Sequence, residues 1–451
     1  MNRLSEEQVL QLAPDASSLK SGKDLANVKK WLNFKYNERV LWGEMQGSGK
    51  DPYRTQIDLV STAFKCSCPS RKFPCKHGLG LFLLFARDPS VMKQTDDEPT
   101  WVKEWIDKRQ AKAEKIVEPI VEIDDKTQAK REKDKLKREN ERLALVQAGA
   151  AELELWLKDL LRGGFLSLPE KGSGFFDKTA ARMVDAKATG LANMVKGFTK
   201  INFYNGTGWH SEVLAQAAGT FLLLESFKNI EKQTPSVQED IRSLVGWSQK
   251  KAELLEDETG EKISDTWLVL NRLTEHEDDL TIQKHWLFGA KTSHFALILD
   301  FSYKNTPFSN LLVAGTWLDA ELVFYPSNMP FRAVIKNQGA TKAQFHPPVS
   351  SSHNWQKAQE AFVEKLILNA WADELPQILS QLTVAKHDDM WFLQDTEGGL
   401  MPISRLMSFE KMMQLLALTG GKALDMAVLR VQDTVVPLGV FVDNNYKIIK
   451  I

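Results

Sequence analysis

The whole 451-residue chain contains three cysteines, and all three lie within ten positions of one another. The run "KCSCPSRKFPCKH" sets Cys66, Cys68, Cys75 and His77 in a C-x-C-x6-C-x-H arrangement. Thiolate sulfur and imidazole nitrogen are donors that suit Zn²⁺, and four of them close its tetrahedral shell. An odd, tightly spaced set of cysteines makes no disulfide framework. Neither a reactive thiol nor chance packing accounts for the histidine two positions after the last cysteine. We therefore expect one zinc ion held by Cys66, Cys68, Cys75 and His77. A shell closed by four protein ligands leaves no position for water or substrate, so the metal is expected to be structural and its binding energy to be folding energy.

The flanking residues agree with this reading. "YRTQIDLVSTAF" is rich in strand formers ahead of Cys66, and Pro69 and Ser70 turn the chain after Cys68. "HGLGLFLLFA" then reads as a short helix, apolar nearly all round and so buried. Cys75 and His77 fall at its N-terminal end, where unpaired N–H groups and the helix dipole favour thiolate. Gly78 and Gly80 weaken helix propensity; they serve either close backbone approach near the metal or simple packing. "GSGK" at 47–50 fails as a phosphate-binding loop, since Glu44 and Asp51 stand where glycine and Ser or Thr are required. It reads as a hairpin turn leading to Tyr53.

The "CSC" followed by "CKH" resembles the SWIM-type zinc finger, and the run from "LWGEMQGSGKDPYRTQIDL" through "AFKCSCPSRKFPCKHGLGLFLLF" is similar to the form found in long bacterial proteins of that family. The resemblance places the family's four ligands on Cys66, Cys68, Cys75 and His77. It implies a zinc-binding module associated with DNA binding in some members and with protein–protein interaction in others. It also implies partners, since the long bacterial members are typically encoded beside a MoxR-type AAA+ ATPase and a von Willebrand factor A-type protein.

Between Leu59 and Arg87 there is no acid, while Lys65, Arg71, Lys72, Lys76 and Arg87 supply five positive charges. Arg71, Lys72 and Lys76 are the candidates for phosphate contact. The plainer reading is that these cations balance a thiolate-rich site.

Beyond the finger the texture changes. "KQTDDEPTWVKEW" marks a boundary, and between Lys126 and Arg142 eight basic residues face four acidic ones. Leu136, Leu143, Ala150 and Leu157 recur every seven residues, with Val146, Leu153 and Leu160 as a companion row, a stripe that packs on its own domain more often than it forms a coiled coil. Further helical patterns run to about 258, and strand patterns dominate from Trp286. The expected fold class is multidomain α+β: a small zinc-stapled ββα finger, a helical middle domain, and a mostly antiparallel β-rich C-terminal half with a few helices. The expected divisions are residues 1–98 for the finger, 99–142 for a charged linker or exposed helix, 143–258 for the helical domain, 259–384 for a β-rich domain with a closing helix, and 385–451 for a small α+β unit. The composition break before Pro99 and the helix-breaking Pro119 further suggest a finger tethered to the rest and not built into it.

Lys plus Arg number 58 against 59 acids, a net charge of −1 that excludes a wholly basic nucleic-acid-coating protein. Apolar runs are far below the roughly 20 residues a membrane span needs, and the acidic start "MNRLSEEQVL" is unlike a secretory signal, so a cytoplasmic protein is expected. No Ser–His–Asp spacing, phosphate loop or H-E-x-x-H occurs, and "TEHEDD" reads as a solvated turn. The expectation is a non-enzymatic zinc-binding adaptor for protein partners. Two alternatives stand beside it: a protein that binds DNA or RNA through the basic finger surface, and an enzyme whose active site in the C-terminal half has no readable motif.

Overall fold

In the structure, a computed structural model, residues 4–450 are described except 48, 116–124, 205–207, 248, 278, 305, 307 and 343–353. Two short helices come first, α1 (Glu6–Leu10) and α2 (Ala16–Leu25), capped by the side chains of Ser5 and Asp15. Strands β1 (Asn33–Tyr36), β2 (Val40–Met45), β3 (Tyr53–Asp58) and β4 (Ala63–Cys66) follow, then α3 (Lys76–Arg87) and the two-residue β5 (Lys93–Gln94). The β3–β4 hairpin running into α3 is the expected ββα unit. It sits in a five-stranded sheet ordered β4-β3-β2-β1-β5. α3 is buried from His77 to Phe85, as its apolar circumference requires.

The finger region does not end at residue 98. Helix α4 (Thr100–Lys115) buries Val102, Trp105 and Ile106 against Val40 and Trp42 on the sheet's second face. Apolar residues spaced by three and four positions give α4 one dry face, so its charged composition describes only the other. The cationic side chains at its border stay close to aromatic rings: Arg54 lies 5.9 Å from the Trp101 ring centre and Arg109 5.5 Å from that of Trp105.

A 38-residue helix, α5 (Asp125–Arg162), opens the helical middle. Pro119 and the side chains of most of the basic stretch before residue 137, Leu136 among them, lie outside the described residues. The stripe beyond it is buried at Val146, Ala150, Leu153, Leu157 and Leu160, with Leu143 partly covered, in a core shared with the rest of the bundle. The stripe thus packs within its own domain. Helices α6 (Leu168–Lys171), α7 (Ser173–Asp185), α8 (Thr189–Gly197), α9 (Trp209–Lys228) and α10 (Pro235–Val245) complete the bundle, and α11 (Lys251–Glu256) leads out of it.

The C-terminal half holds two β units. Strands β6 (Lys262–Glu277), β7 (Leu280–Gly289), β8 (Phe295–Tyr303), β9 (Trp317–Phe324) and β10 (Arg332–Lys342) close into a barrel ordered β10-β8-β7-β6-β9. Only the β8–β10 pair in it is parallel, which is the Greek-key closure of an OB-type barrel; the closure by itself carries no function. Inward residues such as Trp267, Val269, Leu287, Ile298, Leu318 and Phe324 fill it. Then come α12 (Trp355–Leu368), β11 (Glu374–His387), β12 (Met390–Gln394), β13 (Leu400–Pro402), α13 (Phe409–Thr419), β14 (Leu424–Val431), β15 (Thr434–Val442) and β16 (Asn445–Ile448). Their sheet runs β13-β12-β11-β14-β15-β16. The division expected at 384/385 therefore cuts through a strand: β11 pairs with β14 from Glu374 to Leu382 and with β12 from Thr383 to His387. Trp286, Phe288 and Trp317 on the barrel's outer face share one core with this sheet.

The tethered finger expected from composition is not what the structure shows. Val313 and Leu311, on the loop between β8 and β9, enter the core formed by α1, α3 and the finger sheet. Arg272 of β6 donates to the Gln11 carbonyl at 2.9 Å, and Lys450 pairs with Glu7 at 3.2 Å. The bundle is anchored in a similar way, through Asp240 of α10, which accepts from Ser327 Oγ and from the Asn328 N–H. Among the described residues no helix is long and apolar enough to cross a membrane.

Candidate metal centre

Each member of the Cys–Cys–Cys–His set is placed by a different local device. Cys66 is the last residue of β4, opposite Thr55 of β3, whose hydroxyl lies 3.2 Å from its sulfur. Cys68 sits just past the strand end, where Pro69 turns the chain back. Cys75 is the N-cap of α3, and its sulfur accepts from the Gly78 N–H at 3.5 Å. His77 projects from the first turn of α3, with its ring against Tyr53.

The four candidate donor atoms lie within 4.8 Å of one another, and among the described residues this is the only His, Cys, Asp or Glu group with metal-site geometry. His77 Nδ1 is 3.8 Å from Cys66 Sγ and 4.0 Å from Cys75 Sγ. A tetrahedron with Zn–S bonds of about 2.3 Å has edges of about 3.8 Å; these two distances are close to that and no donor pair exceeds 4.8 Å, so one zinc ion fits with donor shifts of about 1 Å or less. Cys75 and His77 are buried, and Cys66 and Cys68 half-buried.

Without a cation these groups conflict. Hydrogen bonding from Cys66 and Cys75 pulls the Cys68 thiol far below its ordinary pKa, while its two sulfur neighbours and burial drive Cys75 far above. Burial disfavours a charged His77, yet its contacts with Cys66 and Cys68 outweigh burial and bring its pKa to about 9. Three sulfurs and an imidazole packed this closely hold protons that a dication displaces, so metal uptake here releases protons.

The glycines of α3 have distinct neighbours. A Cβ on Gly78 would stand 2.8 Å from the Phe64 ring, and one on Gly80 would stand 2.7 Å from Leu25 Cβ and 3.1 Å from the Leu25 backbone carbon. Gly80 therefore serves the α2–α3 approach. Gly80→Ala is expected to destabilise the finger by about 1–3 kcal/mol, the overpacking cost exceeding the helix-propensity gain. Chemical denaturation of the zinc-loaded protein measures this; an unchanged or raised midpoint would contradict it.

The three cations proposed for phosphate contact are not equivalent. Lys72 is paired with Asp15 at 2.8 Å, and Lys72 followed by the Ser18 N–H holds the Asp15 carboxyl below its usual range. Arg71 on the loop and Lys76 in the first turn of α3 are exposed. The sequence did not single out Thr55, which lies against Cys66, Tyr53, which lies against His77, or Phe64, which lies beside Gly78. Strand alternation toward Cys66 could have indicated Thr55.

Residues 53–85 match the model of the SWIM zinc finger, and residues 141–245 match that of the SWIM-associated four-helix bundle domain. The first match spans β3, β4 and most of α3; the second ends with α10. The chain matches no curated protein and no solved structure.

Proposed function

We propose that this is a non-enzymatic interaction protein, an adaptor whose zinc-stapled finger and bundle present surfaces to protein partners. The closed Cys–Cys–Cys–His set supports it most directly, because all four donors serve folding and none is left for a reacting group. The SWIM finger match supports a zinc-binding interaction role in the same sense. A second feature points to protein and not to nucleic acid. Leu214, Ala218, Phe221 and Leu222 lie at helical spacing on α9, and all four are exposed. An apolar stripe on the outside of a bundle suits a partner's apolar face. The finer reading, resting on the SWIM resemblance, is an assembly with a MoxR-type AAA+ ATPase and a von Willebrand factor A-type protein in the cytoplasm.

Affinity capture from native extract, with and without nuclease, tests the adaptor reading. Partners should survive nuclease treatment and be lost with Phe221→Glu. Nuclease-sensitive capture that Phe221→Glu leaves intact would overturn it. For nucleic acid, Arg71→Glu, Lys72→Glu and Lys76→Glu together should abolish any binding at about 50 mM salt while zinc content is kept. If the adaptor reading holds, the wild type shows no salt-dependent retention for these changes to remove.

A further inference from the structure

Among the described residues no carboxylate pairs with Arg272. It stands on β6 opposite His285 of β7, and the one described hydrogen bond of its guanidinium is the 2.9 Å bond to the Gln11 carbonyl. Burial lowers its pKa, and no carboxylate offsets that shift. His285 brings no relief: fully buried, with neither ring nitrogen partnered, it is driven by burial and then by Arg272 down to about 3 and stays neutral. A desolvated guanidinium with no counter-charge is expensive to keep, and proteins normally pair it.

Arg272 also lines a cavity of about 500 Å³ where three parts of the chain meet. The α1–α2 segment supplies Gln11 and Leu19, the loop between β8 and β9 supplies Ala314, and β16 supplies Ile448. The two carboxylates on its wall already have cations. Glu7 pairs with Lys450 at 3.2 Å, and Asp15 with Lys72 at 2.8 Å. Lys23, also on the wall, acts only weakly on Glu6, whose main partner is Arg87 at 2.6 Å. The cavity wall therefore carries two cations, Arg272 and Lys23, with no ion pair among the described residues, together with the apolar side chains of Leu19, Ala314 and Ile448.

We propose that this cavity binds a small organic anion, with its carboxylate or phosphate head on Arg272, Lys23 at the mouth, and its apolar body against Leu19, Ala314 and Ile448. The planar guanidinium suits either head in bidentate fashion. A ligand there would touch the N-terminal helices, the barrel and the last strand together, so binding would tighten the junction between finger and barrel.

Calorimetric titration and thermal unfolding of the full-length zinc-loaded protein test the site. The probes are hexanoate, butyl phosphate and inorganic phosphate, each compared with sodium chloride at matched ionic strength. At least one organic anion should bind, about tenfold or more tighter than inorganic phosphate, and raise the unfolding temperature by several degrees at saturation. The hexanoate and butyl phosphate arms show which head is preferred, and binding of either upholds the site. Arg272→Gln should remove the anion-dependent shift, and Lys23→Ala should weaken binding severalfold. Leu19→Trp, which fills the cavity and keeps Arg272, guards against an Arg272 variant that fails to fold; it too should abolish binding. Arg71→Ala with Lys76→Ala should leave binding unchanged, which separates this site from the finger surface. If no organic anion binds the wild type, or if Arg272→Gln lowers stability and leaves the anion-dependent shift intact, Arg272 only docks α1 and the proposal fails.

Discussion

Cys75→Ser should reduce the protein from about one zinc per chain to below about 0.2, because a tetrahedral site that loses one of its three sulfurs holds zinc poorly. The finger should unfold with it. Structural zinc contributes about 10–16 kcal/mol of apparent binding energy in finger peptides, so its loss should open the β3–β4–α3 unit even though that unit belongs to a five-stranded sheet. The damage should not stop at the finger. Val313 is buried among finger side chains, with Leu311 packed against the same core, so their loop loses its cover when the finger opens. Hydrogen exchange after chelation should show faster exchange in α3, β3 and β4, and also between residues 309 and 316. Unchanged protection in the finger would remove zinc from the account of its stability. A loss confined to the finger would mean that the docking seen in the structure contributes little.

The second large effect is expected at Trp286, which is 1% exposed and sits in the core shared by the barrel and the C-terminal sheet. Truncation to alanine leaves a cavity that the surrounding sheet cannot close, and should cost about 3–5 kcal/mol. Trp286→Phe should be far milder, at less than about 1.5 kcal/mol. Its smaller ring keeps most of the packing, including the edge-on contact with Phe331, and it removes an indole N–H that has no acceptor. Urea denaturation followed by circular dichroism separates the two variants. A loss below about 1 kcal/mol for alanine would mean that the two β units do not share a core.

Parts of this organisation were legible because their causes are local. The β3–β4–α3 order follows from strand formers, a proline turn and an apolar run within about 35 residues. The α5 stripe from Leu143 to Leu160 was readable because helical burial repeats along one segment. Average composition misled at α4, where charge dominates the count while Val102, Trp105 and Ile106 decide the packing. At β11 no signal along the chain marked that its first part would pair with β14 and its last part with β12, since strand partners are set by the assembled sheet.

The amino-acid sequence by itself determined the metal chemistry. Three sulfurs and an imidazole fall within twelve residues, and coordination depends on donor type and reach, both of which short-range geometry sets. Only the tertiary structure decided what covers the finger and which charges are left without partners. Val313 reaches the finger core from more than 200 residues away, and Arg272 gains a cavity but no carboxylate only once β6, α1 and β16 converge. Burial and desolvation belong to assembled surfaces, and no periodicity along the chain encodes which surfaces will meet.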